Sequence, residues 1–376
     1  MIYLSLYLFG LSLALGLALV PLCIRLARRW RVLDLPGPRK IHSEPIPLCG
    51  GWAIFASITI VVWGHLLAAL LVPIELIPHQ ARPYASRVPD LILKFLPFYG
   101  GLAGIFLLGM VDDLKGLSVR TRFWIQVLLA TGLAVTGFRP HLGFLPPWIA
   151  ALIGIFWIVG ITNAFNFLDG LDGLSSGVAL MGTGALLTLM GIGNQPDWCF
   201  LLSTQAGVLM AFLRHNRHPA RVFLGSSGSL SVGYLMAIST LMVTYSHGQK
   251  VHTLVPLLTP IFILAVPLYD TSSVVVIRLF KRRHIAIGDQ SHFHHRLLRL
   301  GFSHRQAVAF MVLMSAAFGL SALGLVDATL RQAIVSLFQF LVLFGILILS
   351  ERVAAKVRSE VLRRPRRDVF ASSRRL

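Results

Sequence analysis

The sequence predicts an all-α, polytopic integral membrane protein of about eleven transmembrane helices, with its N-terminus outside and its C-terminus cytoplasmic. Three observations lead there. The 376 residues are 56% hydrophobic and 13% charged, with a mean hydropathy of +0.75, which leaves too little polar surface to cover a soluble globule. The apolar residues fall into runs of about 20, the length that crosses a bilayer as a helix. The basic residues sit in short blocks between those runs, and the blocks alternate with chain direction.

In chain order the spans lie near 2–24, 49–72, 95–111, 122–138, 146–165, 174–193, 198–213, 229–246, 254–277, 307–326 and 332–350. The first lacks basic residues ahead of its apolar run and is followed by the cluster Arg25 to Arg31, the reverse of a secretory signal. It therefore reads as an uncleaved span with its N-terminus outside. The later loops support that register. Of the 34 lysines and arginines, all but Arg82, Arg87, Lys94, Arg139, Lys250 and Arg331 fall on the side assigned to the cytoplasm. Residues 1–350 form one membrane domain and 351–376 a basic cytoplasmic tail, disordered or lying on anionic head groups. The net charge of +19 is topogenic, because a nucleic-acid binder gathers its basic residues on a soluble face. No nucleic-acid partner is expected. Cys23, Cys49 and Cys199 show no metal-binding spacing and read as structural.

The loops on the inner side hold more than topology requires. In the first, Asp34-Leu-Pro-Gly-Pro-Arg39-Lys40-Ile-His42 leads to Pro47 and Gly50-Gly51; it reads either as a phosphate contact or as a positively charged anchor. At the end of the third span, Asp112-Asp113 puts two carboxylates where an apolar helix meets water. That placement is costly unless they bind a cation, pair with a base or exchange protons. The competing reading pairs them with Lys115 and Arg120 at the surface.

The fifth span runs into Asn163-Ala-Phe-Asn166-Phe-Leu-Asp169-Gly170-Leu171-Asp172-Gly173-Leu174. Its oxygen-bearing side chains recur at three- and four-residue steps, so a helical path lines them on one face. With glycines that admit a ligand to the backbone and no Lys or Arg nearby, the loop suits a hard cation carrying phosphate. Phe223-Leu-Gly225-Ser226-Ser227-Gly228-Ser229 is a Gly/Ser turn opening a helix, where backbone N–H groups favour an anion. The ninth span carries Asp270 and Arg278, and the loop after it carries His292-Phe-His294-His295-Arg296, a dense set of cations and donors. A zinc site is the rival reading of those histidines. An oxygen-rich acidic half and a basic half at one membrane face suit phosphoryl transfer better than transport.

In order and spacing these motifs resemble the polyprenyl-phosphate N-acetylhexosamine-1-phosphate transferase family, over residues 34 to 301. The form His-x-His-His-Arg-Leu resembles its UDP-N-acetylglucosamine branch. The resemblance implies transfer of GlcNAc-1-phosphate from UDP-GlcNAc to undecaprenyl phosphate with Mg²⁺ or Mn²⁺, release of UMP, and initiation of cell-envelope polysaccharide synthesis. It also implies a bacterial inner membrane, an active site facing the cytoplasm, and a possible homodimer.

By the same resemblance, Asp112, Asp113, Asp169 and Asp172 are catalytic, with Asp169, Gly170, Leu171 and Asp172 holding the nucleotide and diphosphate. Lys40, His42, Asn163, Arg278, His292, His294, His295 and Arg296 bind phosphates or sugar, and Phe223 stacks on uracil. Asn166 and Asp112 reach the metal. The family turn carries a metal-binding Asp where this chain has Ser226, and a hydroxyl is a much poorer ligand for Mg²⁺ than a carboxylate. The competing expectation is accordingly a catalytically impaired paralogue that binds the same ligands.

Overall fold

A computed structural model describes residues 1–37, 43–140, 145–243, 258–280, 291–325 and 330–363. The chain is built of helices: α1 (Ile2–Arg29), α2 (Gly50–Leu71), α3 (Arg82–Ala85), α4 (Val88–Lys115), α5 (Val119–Val135), α6 (Pro147–Leu168) and α7 (Leu174–Ile192). There follow α8 (Pro196–Asn216), α9 (Gly225–Val243), α10 (Thr259–Ile263), α11 (Ala265–Phe280), α12 (Phe293–Arg299), α13 (His304–Leu323) and α14 (Leu330–Arg363). Among the described residues, eight of these are long and apolar enough to cross a membrane: α1, α2, α4, α6, α7, α8, α9 and α13. In α14 only the stretch Ile334–Leu349 is apolar.

Each of the eleven expected segments falls on a helix where it is described, residues 244–246, 254–257 and 326 lying outside the described residues, and three of the differences have a local cause. The ninth is broken into α10 and α11 at Leu264. Pro267 has no N–H to give the carbonyl of Ile263, so the helical ladder is interrupted there. Helix α5 lies three residues earlier than expected, because the Ser118 hydroxyl accepts from Thr121 N–H at 3.1 Å and starts it. Helix α14 runs on past residue 350 to Arg363. Residues 351–363 are mostly Glu, Arg, Ala, Lys, Val and Leu, which favour a helix, and Pro365 stands just beyond its end.

Helix α9 is the hub. It is buried almost throughout, packed by α4, α6, α2 and α7, and tied to α4 by the Tyr234 hydroxyl donating to Phe98 O at 2.9 Å. Gly109 is what lets α4 approach so closely, since a Cβ there would strike the Ser226–Ser227 backbone. The start of α9 is thereby pressed against the end of α4, where the paired carboxylates lie.

The first loop is held over the same region. Leu33–Asp34 and Ile46–Pro47 pair as a short antiparallel ribbon. From there Phe223 N–H donates to Pro47 O and Gly50 N–H to Phe223 O, each at 2.9 Å.

Candidate active site

The ends of α1, α4, α6, α8 and α9 surround a cavity of about 1300 Å³ that also takes in the ribbon, the loop before α9, His295 and His304. Asp112, Asp113, Asn166, Asp169, Gly170, Leu171, Asp172, Phe223, Ser226 and His295 line it. Asn163, Arg278, His292, His294 and Arg296 are not among its lining residues. Lys40 and His42 lie outside the described residues.

The two adjacent carboxylates do different things. Asp112, at the last turn of α4, accepts from Leu117 N–H and from the Arg122 guanidinium, both at 2.8 Å. It thus fastens the α4–α5 corner, and its partner is Arg122 rather than Lys115 or Arg120. Asp113 accepts from the N–H groups of Ser226 (2.6 Å) and Ser227 (3.0 Å). The positive end of α9, expected to hold a ligand anion, holds this internal carboxylate.

Beyond α6 the chain turns sharply into the cavity. Asn166 donates to the Ser229 hydroxyl at 2.8 Å, which leaves its carbonyl oxygen for a ligand. Burial pushes the Asp169 carboxyl well above the usual range, and the negative charges of Asp113 and Asp172 push it further. Asn163 sits more deeply and donates to Gln126 and Val159 O, tying α6 to α5.

The histidine-rich segment docks behind this loop. Asp270, fully buried on α11, accepts from His292 Nδ1 at 2.8 Å and from Phe293 N–H, and so caps α12 from a neighbouring helix. Arg296 donates to the Ser273 hydroxyl at 2.6 Å and lies over the Tyr269 ring. His294 is 1% exposed, and a Cβ on Gly170 would strike its imidazole. Burial lowers its pKa to about 3, against a smaller upward pull from Asp270, so the ring is neutral at physiological pH. His292, His294 and Arg296 therefore support the Asp169–Asp172 loop from behind, while His295 faces the cavity.

Several cavity residues went unmarked in the sequence. Arg25, Arg28, His215, His218 and His304 line it beside Arg221. Arg25 and Arg28 read as a topogenic anchor, and His215, His218 and His304 carry no spacing signal. They converge only through folding. Arg25, Arg28 and Arg221 add cations to a lining that also holds carboxylates, while His218 and His304 lie against Asp172.

Oxygen donors suited to a hard divalent cation are present: the carboxylates of Asp113 and Asp169, the carbonyl of Asn166 and the hydroxyl of Ser226 all line the cavity. Like-charge crowding around Asp169 is the strain such an ion would relieve.

Fold and cavity together define a polytopic membrane protein with a chamber at the ends of its helices that both carboxylates and cations line. The model of the family described as Glycosyl transferase family 4 matches residues 95–244. A probable undecaprenyl-phosphate N-acetylglucosaminyl 1-phosphate transferase of Bacillus subtilis is 32% identical over 347 residues, covering 90% of each chain. A decaprenyl-phosphate N-acetylglucosaminephosphotransferase of Mycolicibacterium smegmatis is 29% identical, covering 77% of this chain and 74% of its own. An undecaprenyl-phosphate alpha-N-acetylglucosaminyl 1-phosphate transferase of Escherichia coli K12 is 27% identical, covering 78% and 76%. The chain belongs to glycosyl transferase family 4, the polyprenyl-phosphate N-acetylhexosamine-1-phosphate transferases, and groups with the branch acting on N-acetylglucosamine-1-phosphate.

Proposed function

We propose that the protein transfers GlcNAc-1-phosphate from UDP-GlcNAc to undecaprenyl phosphate at the cytoplasmic face of the bacterial inner membrane. The acceptor phosphate oxygen attacks the β-phosphorus of the donor and UMP departs. The sugar C1–O bond is untouched, so anomeric configuration is kept. The observation that carries this reading is the cavity itself, lined by Asp113, Asp169 and Asp172 together with Arg25, Arg28, Arg221 and His295.

Within it, Phe223 offers a ring for uracil, and Gly170, Leu171 and Asp172 a backbone and carboxylate for the nucleotide. Mg²⁺ or Mn²⁺ would be held by Asp113, Asp169, Asn166 and Ser226, and would supply neutralisation of the diphosphate charge. Arg25, Arg28 and His295 neutralise charge arising on the opposite side. The acceptor monoester is already largely anionic at neutral pH, so no residue need deprotonate it. Asp112, engaged by Arg122, positions the α4 end and with it Asp113.

Ser226 favours a second reading, a paralogue that binds the same ligands and turns over poorly. UMP release by purified protein with UDP-GlcNAc, undecaprenyl phosphate and Mg²⁺ separates the two. Lipid-dependent release that Asp169→Asn abolishes supports the transferase. Silence that Ser226→Asp relieves supports the impaired paralogue, and in an active wild type the same change should lower the Mg²⁺ requirement by about tenfold, equivalent to ~1.4 kcal/mol. Silence in every variant with a range of UDP-sugars would refute the transferase and favour the binding paralogue.

A further inference from the structure

We propose that Asp172, His218 and His304 form a separate cation site, for a borderline divalent transition ion of the Zn²⁺ class. The three residues sit on the wall shared by the large cavity and a neighbouring one of about 770 Å³. Asp172 Oδ2 is 2.7 Å from His218 Nδ1 and 3.9 Å from His304 Nε2. One ligand atom from each lies within 4.8 Å of the other two. Two imidazoles and one carboxylate, with open positions toward a cavity, are the donor set that borderline ions prefer.

Three separate segments deliver these ligands, and contacts among the segments hold them together. Asp172 is held by Ala220 N–H at 3.2 Å. His304 opens α13 directly behind Ser303, whose side chain forms a reciprocal cap with Gln306. The His218 and His304 rings stack at 4.1 Å between centroids. His304 is largely enclosed, with 13% of its side chain exposed, yet neither ring nitrogen has a hydrogen-bond partner among the described residues. Buried polar atoms ordinarily find partners, and a metal ion would supply one here.

A second argument concerns charge. Arg214, Arg217, Arg221 and Arg305 also line the smaller cavity and oppose a dication. All four are exposed, so water and salt weaken that opposition. Under the same field Mg²⁺, which gains little from imidazole, is excluded. The ion would sit between Asp172 and His218, which now meet at 2.7 Å. It would also occupy a carboxylate that the proposed function gives to the nucleotide, and so would compete with the donor.

Chelator-treated full-length protein in detergent, titrated with Zn²⁺ by calorimetry and with Co²⁺ by visible absorption, tests the site without relying on turnover. Wild type should bind one equivalent of Zn²⁺ that excess Mg²⁺ does not displace. His218→Ala and His304→Gln should each weaken binding by more than about tenfold and abolish the Co²⁺ bands, while Asp113→Asn keeps both. His218 lies in a loop and is about one-third exposed, so its variant decides the matter if His304→Gln does not fold. Absence of Zn²⁺ uptake, displacement by Mg²⁺, or wild-type binding by His218→Ala would overturn the proposal. Failure of transferase activity alone would leave these binding readings unchanged, and would count against the proposed function instead.

Discussion

Removing the carboxylate of Asp270 should release the histidine-rich helix from its seat. Asp270 has no exposed surface and makes two charge-assisted bonds, to His292 Nδ1 and Phe293 N–H. Such bonds contribute about 1.5–3 kcal/mol each. Asp270→Asn keeps one acceptor for Phe293 N–H, and so should cost roughly 1.5–3 kcal/mol. Asp270→Ala strands both donors and should cost about 3–5 kcal/mol, the range for breaking a buried pair.

Because α12 carries His294 beneath Gly170 and His295 into the cavity, the loss should appear in kcat/KM as well as in stability. Thermal unfolding in detergent and transferase kinetics on the same samples should rank wild type above Asp270→Asn above Asp270→Ala. A double-mutant cycle with His292→Ala should show strong coupling, since the two changes break the same contact. Wild-type melting and turnover in Asp270→Ala would refute the reasoning. Inactivity without destabilisation would instead mean that Asp270 reaches the substrate directly.

Asp169→Asn should raise thermal stability in chelator, because the carboxyl it replaces is pushed up by burial and by Asp113 and Asp172. Added Mg²⁺ should then stabilise wild type and leave the variant unmoved; equal Mg²⁺ shifts would exclude Asp169 as a ligand. His294 gives a pH signature. Its folded pKa of about 3 lies below the unfolded value near 6.5, so between those values the unfolded chain binds the extra proton. Stability contributed by neutral His294 is complete above pH 6.5 and lost as pH falls toward 3, by at most about 1.4 kcal/mol per unit. The wild-type-minus-His294→Gln difference in unfolding free energy should show that slope, and a flat difference would mean that the ring is solvated.

The fold was legible because a bilayer imposes a length and a polarity on each helix, and residues 2–24, 49–72 or 174–193 satisfy both in one continuous run. What sequence alone missed were places where a local backbone rule overrides hydropathy. Pro267 divides the ninth segment, Ser118 starts α5 early, and helix-favouring residues carry α14 beyond its apolar stretch. Each is visible only when the hydrogen-bond ladder is followed residue by residue.

The site was legible in a different measure. Motif spacing brought out the acidic loop, because Asn166, Asp169 and Asp172 are neighbours in sequence as well as in space. It could not separate Asp112, which is consumed by Arg122, from Asp113, which caps α9, since the distinction depends on helices far away in sequence. The cationic part of the lining was least legible, for the same reason. Arg25 and Arg221 come from regions nearly 200 residues apart, and each taken alone is what any inward-facing loop carries.

Their convergence with Asp113, Asp169 and Asp172 on one cavity is more than a topogenic charge pattern requires. Burial, with the like charges of Asp113 and Asp172, is what raises the Asp169 carboxyl, and that crowding carries a cost. A bound diphosphate with its counter-ion would remove that cost. On the proposed function, ligand binding should therefore stabilise the chain most at the Asp169 loop.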